Sequence, residues 1–290
     1  MNYTIEKMKK SNSLAENNFI ILQLMLAIIA SSFLLITTGC ENVKKEKKKD
    51  QKIIVKTDTL TQVKQNDSSI NIYLTFDDGP YFTTLGLANT LIKENVKSSF
   101  FIVGSQITAS KFYDSVFNTI KQNSLFRTYN HTFSHAVTHG RMKKYYEYPV
   151  NVWNDIQKNK QYLGSECNIT RLPGTNAWRF QDSIKCFSNI ASKKLFTYLD
   201  SIQSNERVFG WDFEWTGKQS ESSTNVDQLF EKISERIKNN KAKSKNYVIL
   251  LHDYYFKNEV SLNNLSYFIS LLKKNENTEF KWANEYPGIQ

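Results

Sequence analysis

Histidine is scarce in this 290-residue chain, with four in all, at 131, 135, 139 and 252. Cysteine is scarcer, at 40, 167 and 186. No segment repeats, which excludes solenoid and propeller arrays. No arginine cluster with interleaved aromatics occurs, which argues against a nucleic-acid groove and leaves no nucleic-acid partner expected. Between residues 41 and 69 there is no glycine or proline. What the chain does have is 40% hydrophobic and 13% aromatic residues, enough for a sizeable core and unlike a disordered protein. The length allows one or two domains. The formal net charge of +10 is unevenly spread. Residues 1–40 carry +1 (three Lys against two Glu) and 41–70 carry +3 (eight Lys against five acids), leaving +6 for 71–290. A mildly basic domain suits a polyanionic surface or polymer, or simple solubility.

Residues 19–40 read FIILQLMLAIIASSFLLITTGC, with Lys7, Lys9 and Lys10 ahead of them. A basic start, an apolar stretch and a small-residue end make the layout of a secretory signal. The end, Thr37-Thr38-Gly39-Cys40, resembles a bacterial lipobox, in which the cysteine is lipidated and becomes the new N-terminus. Ile36 stands one place earlier than the usual aliphatic residue. The competing reading is an uncleaved membrane anchor, since the stretch is nearly long enough to span. Both put the rest of the chain outside the cytoplasm, tethered to a membrane; the lipobox reading, which is preferred, makes it an extracytoplasmic, membrane-anchored lipoprotein of the cell envelope. The charged segment 41–70 reads as a flexible tether, and 71–290 as the folded domain. After cleavage only Cys167 and Cys186 remain, to pair or to stay as separate thiols.

From residue 71 the pattern alternates. NIYLTF (71–76) is strand-like. Leu85, Ala88, Leu91 and Ile92 predict a helix over 83–96. SSFFIV (98–103) is a strand, 107–123 a helix, LFRTYN (125–130) a strand, 149–164 a helix and NITRLP a short strand. A helix is expected within 181–204 and a strand at VFGWDF (208–213). Val226, Leu229, Phe230, Ile233 and Ile237 mark a helical face, NYVILLHD a buried strand, and Leu262, Leu265, Ile269 and Leu272 another helix before the closing EFKWAN. Strands alternating with helices imply parallel pairing in an α/β fold. About seven units suggest a distorted, incomplete (β/α) barrel, whose chemistry sits at the C-terminal strand ends.

Three such ends carry chemistry. Asp77 and Asp78 close the first strand, ahead of Gly79-Pro80. Neighbours on a strand point to opposite faces, so a site gripping both needs a bend there. His131 follows a second strand, with His135 four residues on; His252 and Asp253 end a third. Two imidazoles four residues apart, with a carboxylate from another strand, suit Zn²⁺ or a similar divalent ion and leave a position for water. Zn²⁺ is expected, with Co²⁺ or Ni²⁺ as alternatives. His139 continues the four-residue step and is expected to lie behind the ligands or on the surface. Asp253 is assigned no catalytic role.

TFDDGP, SSFFIVG, NHTFSH, RLPG, GWDFEW and ILLHD follow one another in this order. With them the chain resembles the polysaccharide deacetylases of the NodB-homology class, carbohydrate esterase family 4, from about residue 71 to the C-terminus. The resemblance implies Asp77 as general base and Asp78, His131 and His135 as metal ligands. It also implies Arg171 as the group that orients the base, Asp212 as the partner of the catalytic histidine and His252 as general acid. Trp215 and Leu251 would line the acetyl pocket. Two motifs depart from the family. Arg171-Leu172-Pro173 runs straight into Gly174 without the usual aromatic residue, so Gly174 or Thr175 would supply the oxyanion N–H. The spacing in Asp212-Phe213-Glu214-Trp215 is short, so Glu214 competes with Asp212 for the pairing.

The activity implied is metal-dependent removal of acetyl groups from an N-acetylated polysaccharide by a monomeric enzyme. The alternatives are an O-acetyl-xylan-type esterase and a catalytically defective glycan-binding relative.

Overall fold

The computed structural model describes residues 69–136, 142–165, 167–180, 186–242 and 245–289. All lie in the compact unit Gln62–Gln290. Cys40, the leader, most of the tether and His139 lie outside them.

The fold is an α/β half-barrel built on one curled sheet. Its strands are β1 (Ile70–Asp77), β2 (Ser98–Ile102), β3 (Phe126–Asn130), β4 (Ile169–Thr170), β5 (Trp178–Arg179), β6 (Cys186–Phe187), β7 (Arg207–Val208), β8 (Phe213–Glu214), β9 (Lys245–His252) and β10 (Thr278–Phe280). The order across the sheet is β6-β5-β7-β4-β3-β2-β1-β9-β8. β10 runs beside residues 70–72 of β1, while β2 takes residues 74–77. All these pairings are parallel except those of β5 with β6 and β7. β1 is buried along its whole length, as an uninterrupted apolar run in a parallel sheet requires.

The helices are α1 (Thr84–Lys93), α2 (Gly104–Ala109), α3 (Lys111–Gln122), α4 (Met142–Glu147), α5 (Pro149–Leu163), α6 (Lys193–Ser201), α7 (Gly217–Glu221), α8 (Ser223–Asn239) and α9 (Glu259–Lys273). Ile70, Ile72, Leu74 and Phe76 of β1 pack with Leu87, Leu91, Val226, Ile233, Leu265 and Phe268 in the main core. The other face of the sheet lines a second cluster, with Tyr73, Phe101, Tyr129, Trp178, Phe209, Val248 and Tyr286. These rings fill the half-barrel, with Phe101 stacked on Phe209 at 6.0 Å and Tyr73 5.1 Å from Tyr286.

Two expected elements differ. The helix expected over 107–123 is two helices, broken at Ser110, whose backbone is extended and whose hydroxyl caps α3 by accepting from Tyr113 N–H at 3.1 Å. Within 181–204 the expected helix is α6, and the short strand β6, paired to β5, precedes it. The run VFGWDF is not one strand. β7 pairs with β4, β8 pairs with β9, and these lie towards opposite ends of the sheet. Residues 209–212 therefore cross the gap between them. Gly210 fits there because a Cβ would collide with Asn176 and Trp178.

Candidate functional site

Side-chain parity along β1 sends Ile72, Leu74 and Phe76 to the helices and Tyr73, Thr75 and Asp77 to the concave face. Asp77 is buried, and its register partner on β9 is His252. Arg171, just past β4, is fully buried and reaches across to Asp77. One terminal nitrogen donates to Asp77 Oδ1 at 2.8 Å and to Thr75 Oγ1 at 2.7 Å. Nε donates to the Phe209 carbonyl and the other terminal nitrogen to that of Gly210, at 3.1 and 2.9 Å. The guanidinium lies 4.2 Å from the centre of the Phe101 ring. Burial depresses its pKa, and the Asp77 charge opposes that shift. Arg171 thus ties β1, β4 and the crossing segment together under one carboxylate.

The bend expected after Asp77 is present. Asp78 has φ +76°, in the left-handed region. Thr132, His135 and Ala136 also have positive φ, at +64°, +51° and +63°. Such backbone costs roughly 1–3 kcal/mol per residue and persists where the surroundings dictate it. Here it turns Asp78, His131 and His135 towards one point. Asp78 Oδ1 lies 3.3 Å from His131 Nε2 and 3.0 Å from His135 Nε2. The three donor atoms fall within 4.8 Å of one another. Bonds of about 2.0–2.2 Å to a tetrahedral ion would set ligand atoms about 3.3–3.6 Å apart, so spacings of 3.0 and 3.3 Å lie close to those of a divalent-cation site. Asp78 Oδ1 is buried and has no hydrogen-bond partner, which is expected of an oxygen reserved for a metal. Burial alone would raise the Asp78 carboxyl, but His131 and His135 outweigh it and hold it far below the usual carboxylate range.

The tautomer of His131 follows from its partner. Nδ1 is 2.8 Å from the Arg171 carbonyl oxygen, which can only accept. Nδ1 therefore carries a hydrogen, which leaves Nε2 as the nitrogen that would serve a metal beside Asp78, the usual support behind a metal-ligating histidine. Asp77 Oδ2 is 3.6 Å from the same Nε2, so Asp77 stands beside the cluster without joining it.

His252 reaches the same mouth by its register with Asp77, but its expected partner does not. Asp212 N–H donates to the Val248 carbonyl, and Asp212 Oδ2 accepts from Val248 N–H at 2.9 Å. Val248 is four residues before His252, about 13 Å along the strand. The pairing of Asp212 with His252 is therefore not formed. Glu214 aligns with Leu250 and is exposed. His252 Nδ1 is buried without a hydrogen-bond partner. The ring is flanked instead by Tyr254 and Tyr255, at centroid distances of 5.3 and 5.7 Å.

The two expected pocket walls are core residues. Trp215 is fully buried among Phe256 and Phe268 and donates its indole N–H to Ser220 at 2.9 Å. Leu251 packs in the same core, on the face opposite His252. Parity puts Leu250, not Leu251, on the side of the histidine. Trp211 lies nearer the site, 5.8 Å from the Arg171 guanidinium. Gly174 is exposed in the loop after β4 with φ +61°, against Met142. The Thr175 hydroxyl is engaged by the Asn189 amide.

Two further carboxylates matter here: Asp253, which the sequence left without a role, and Asp155, which no motif marked. Asp253 is fully buried beneath the Asp77–Gly79 turn. It accepts from the Thr84 hydroxyl and sits where a Cβ on Gly79 would be. Burial, with Asp78 and Asp77 nearby, pushes its carboxyl up to about 8 despite the Thr84 hydrogen bond. Asp155, on α5, holds the loop that carries His135.

Comparison with known proteins agrees with this geometry. Residues 64–175 match the family described as polysaccharide deacetylase. A putative polysaccharide deacetylase of Bacillus subtilis (strain 168), YheN, is 26% identical over 219 residues, 73% of this chain and 67% of that protein. Among solved structures, a family 4 carbohydrate esterase from Streptomyces lividans in complex with acetate is 16% identical, with a TM-score of 0.52, covering 76% of this chain and 95% of its own. The catalytic domain of a peptidoglycan N-acetylglucosamine deacetylase from Eubacterium rectale ATCC 33656 is 19% identical, with a TM-score of 0.50, covering 75% and 90%. At these identities the solved structures establish a shared fold.

Proposed function

We propose that this chain, a member of the polysaccharide deacetylase family, is a metal-dependent hydrolase that removes acetyl groups from an N-acetylated glycan. The observation that carries the reading is Asp78 Oδ1 lying within 3.0–3.3 Å of two imidazole Nε2 atoms. Asp78, His131 and His135 would hold the ion. Two nitrogens and one oxygen suit Zn²⁺, and also Co²⁺ or Ni²⁺. A divalent ion bound there supplies Lewis acidity and lowers the pKa of water from about 15.7 towards ~7.

The chain's own groups supply the rest. Arg171 occupies Asp77 Oδ1, so Oδ2 is the oxygen that takes the proton of the attacking water. Backbone N–H groups at Gly174 or Thr175 would face the developing oxyanion, where losing one donor typically costs about 3–4 kcal/mol. His252, beside Asp77 in register, delivers a proton to the departing nitrogen. Water adds to the amide carbon, the C–N bond breaks, and the products are acetate and a free amine on the sugar.

The test is acetate release from chitooligosaccharides, peptidoglycan fragments and acetylated xylan, measured side by side. Release from the N-acetylated substrates is expected. Asp77→Asn should retain the ion and lower kcat by about 10²–10⁴-fold; normal turnover by this variant would remove Asp77 from the role of base. One observation favours a second reading. His252 lacks a carboxylate partner, and an ester needs less leaving-group protonation than an amide. Release from acetylated xylan alone would establish that O-acetyl esterase. No release from any substrate, with metal bound, would make the protein a glycan-binding relative.

The leader lies outside the described residues and rests on its pattern alone. Lipidation at Cys40 would place the enzyme, as a monomer, on the outer face of a membrane. Cys40→Ala should then move the protein from the membrane to the soluble fraction; an unchanged membrane fraction would favour the uncleaved anchor.

A further inference from the structure

The loop 131–136 carries both candidate histidine ligands and three left-handed residues, Thr132, His135 and Ala136. Left to itself such a loop would relax. The groups that hold it come from α5. Asp155 accepts from Ser134 N–H at 3.1 Å on Oδ1 and 3.2 Å on Oδ2, and from the Ser134 hydroxyl on Oδ2 at 2.8 Å. Its backbone carbonyl accepts from Phe133 N–H at 3.2 Å. Tyr145, on α4, donates its hydroxyl to the same Oδ2 at 2.9 Å. One helical turn on, Asn159 donates to the Ile102 carbonyl and to Asn130 Oδ1, at 2.8 and 2.9 Å. Asn130 Oδ1 also accepts from Thr132 N–H at 2.8 Å, and Asn130 donates its side-chain amide to the Ile156 carbonyl at 3.0 Å. The same helix therefore grips the loop just before His131 and just before His135.

We propose that Asp155 is a positioning residue for the metal centre: by fixing Ser134 it sets where His135 Nε2 stands relative to Asp78, and so sets the affinity for the ion. The proposal rests on the metal-site reading above. Asp155 touches neither ion nor substrate; it acts through Ser134. A carboxylate suits the place because every group facing it is a donor: one N–H and two hydroxyls. An amide would keep one acceptor oxygen and turn two N–H bonds towards those donors. The graded series is therefore wild type, Asp155→Asn and Asp155→Ala. Tyr145→Phe removes the hydroxyl that donates to Asp155 Oδ2 and leaves the carboxylate against Ser134.

The experiment is Zn²⁺ affinity of the full chain, stripped of metal and titrated in competition with a chelating dye. The visible absorption of the Co²⁺-loaded protein and thermal unfolding of the metal-free protein are recorded alongside. Asp155→Ala should weaken Zn²⁺ by about 10–100-fold, the range found for groups that orient metal ligands, and alter the Co²⁺ spectrum. Asp155→Asn should fall between it and wild type, and Tyr145→Phe should lose only a few-fold. At saturating Zn²⁺ the KM for a chitooligosaccharide should be unchanged. Wild-type affinity and spectrum in Asp155→Ala would overturn the proposal. If that variant does not fold, unchanged affinity and spectrum in Asp155→Asn would overturn it. A wild-type protein that binds no Zn²⁺ would instead overturn the metal-site reading itself.

Discussion

Asp78→Ala is expected to lose the ion and lower acetate release by about 10³-fold or more, equivalent to about 4 kcal/mol of transition-state stabilisation. The expectation follows from charge and geometry. Asp78 is the one carboxylate among the three donors, and its Oδ1 is the atom both imidazoles face. Without it His131 and His135 remain, two neutral ligands on a loop held in left-handed backbone. Two imidazoles alone bind a divalent ion weakly at micromolar concentrations. The fold should persist, because Asp78 lies beyond the last residue of β1 and its oxygen makes no other hydrogen bond. Metal content by atomic absorption and acetate release, measured on one sample, check the prediction. A variant that keeps the ion and works normally would mean that a different group binds it.

Arg171→Met is expected to be the most destabilising single change near the site. Arg171 is fully buried and donates to Asp77, Thr75 and the carbonyls of Phe209 and Gly210. Methionine fills much of the volume but leaves the Asp77 carboxylate buried without its partner. Breaking a buried pair in this way costs about 3–5 kcal/mol. That is a large share of the roughly 5–15 kcal/mol that stabilises a domain. For a domain of this size it corresponds to a fall in Tm of roughly 6–20 °C. Arg171→Lys should recover little, because an ammonium on a flexible stem cannot serve four acceptors in a plane. Thermal unfolding followed by circular dichroism is the measurement. A shift under about 2 °C would mean that the ion pair is not what joins β1, β4 and the crossing segment. Activity should fall as well, since Asp77 would lose the donor that fixes its Oδ1.

What the sequence made legible was local. The uninterrupted apolar run of β1 marked a central parallel strand. The paired carboxylates at its end, and two histidines four residues apart after β3, pointed to the three donors that the fold brings together, because each motif is set by a few neighbouring residues and the barrel's polarity brings strand ends together. The failures were all long-range or depended on parity. VFGWDF looks like one strand by composition, yet the chain uses it to cross the open side of the half-barrel. That crossing drops Asp212 opposite Val248 and out of reach of His252. Leu251 and Leu250 are equally apolar, and a choice one residue off turns a pocket wall into core. Trp215 has a conspicuous side chain but follows Phe213 by two residues, on the face turned to α9. Asp155 carries no motif at all. Its partners are 10 and 21 residues away on other elements, and nothing in the spacing announces them.

The most direct measurement of the central claim is anomalous diffraction at the zinc edge from crystals of the full domain grown with Zn²⁺. The predicted result is one strong peak about 2.0–2.2 Å from Asp78 Oδ1, His131 Nε2 and His135 Nε2 together. No peak among those three atoms, or a zinc ion held by other residues of the mouth, would contradict it.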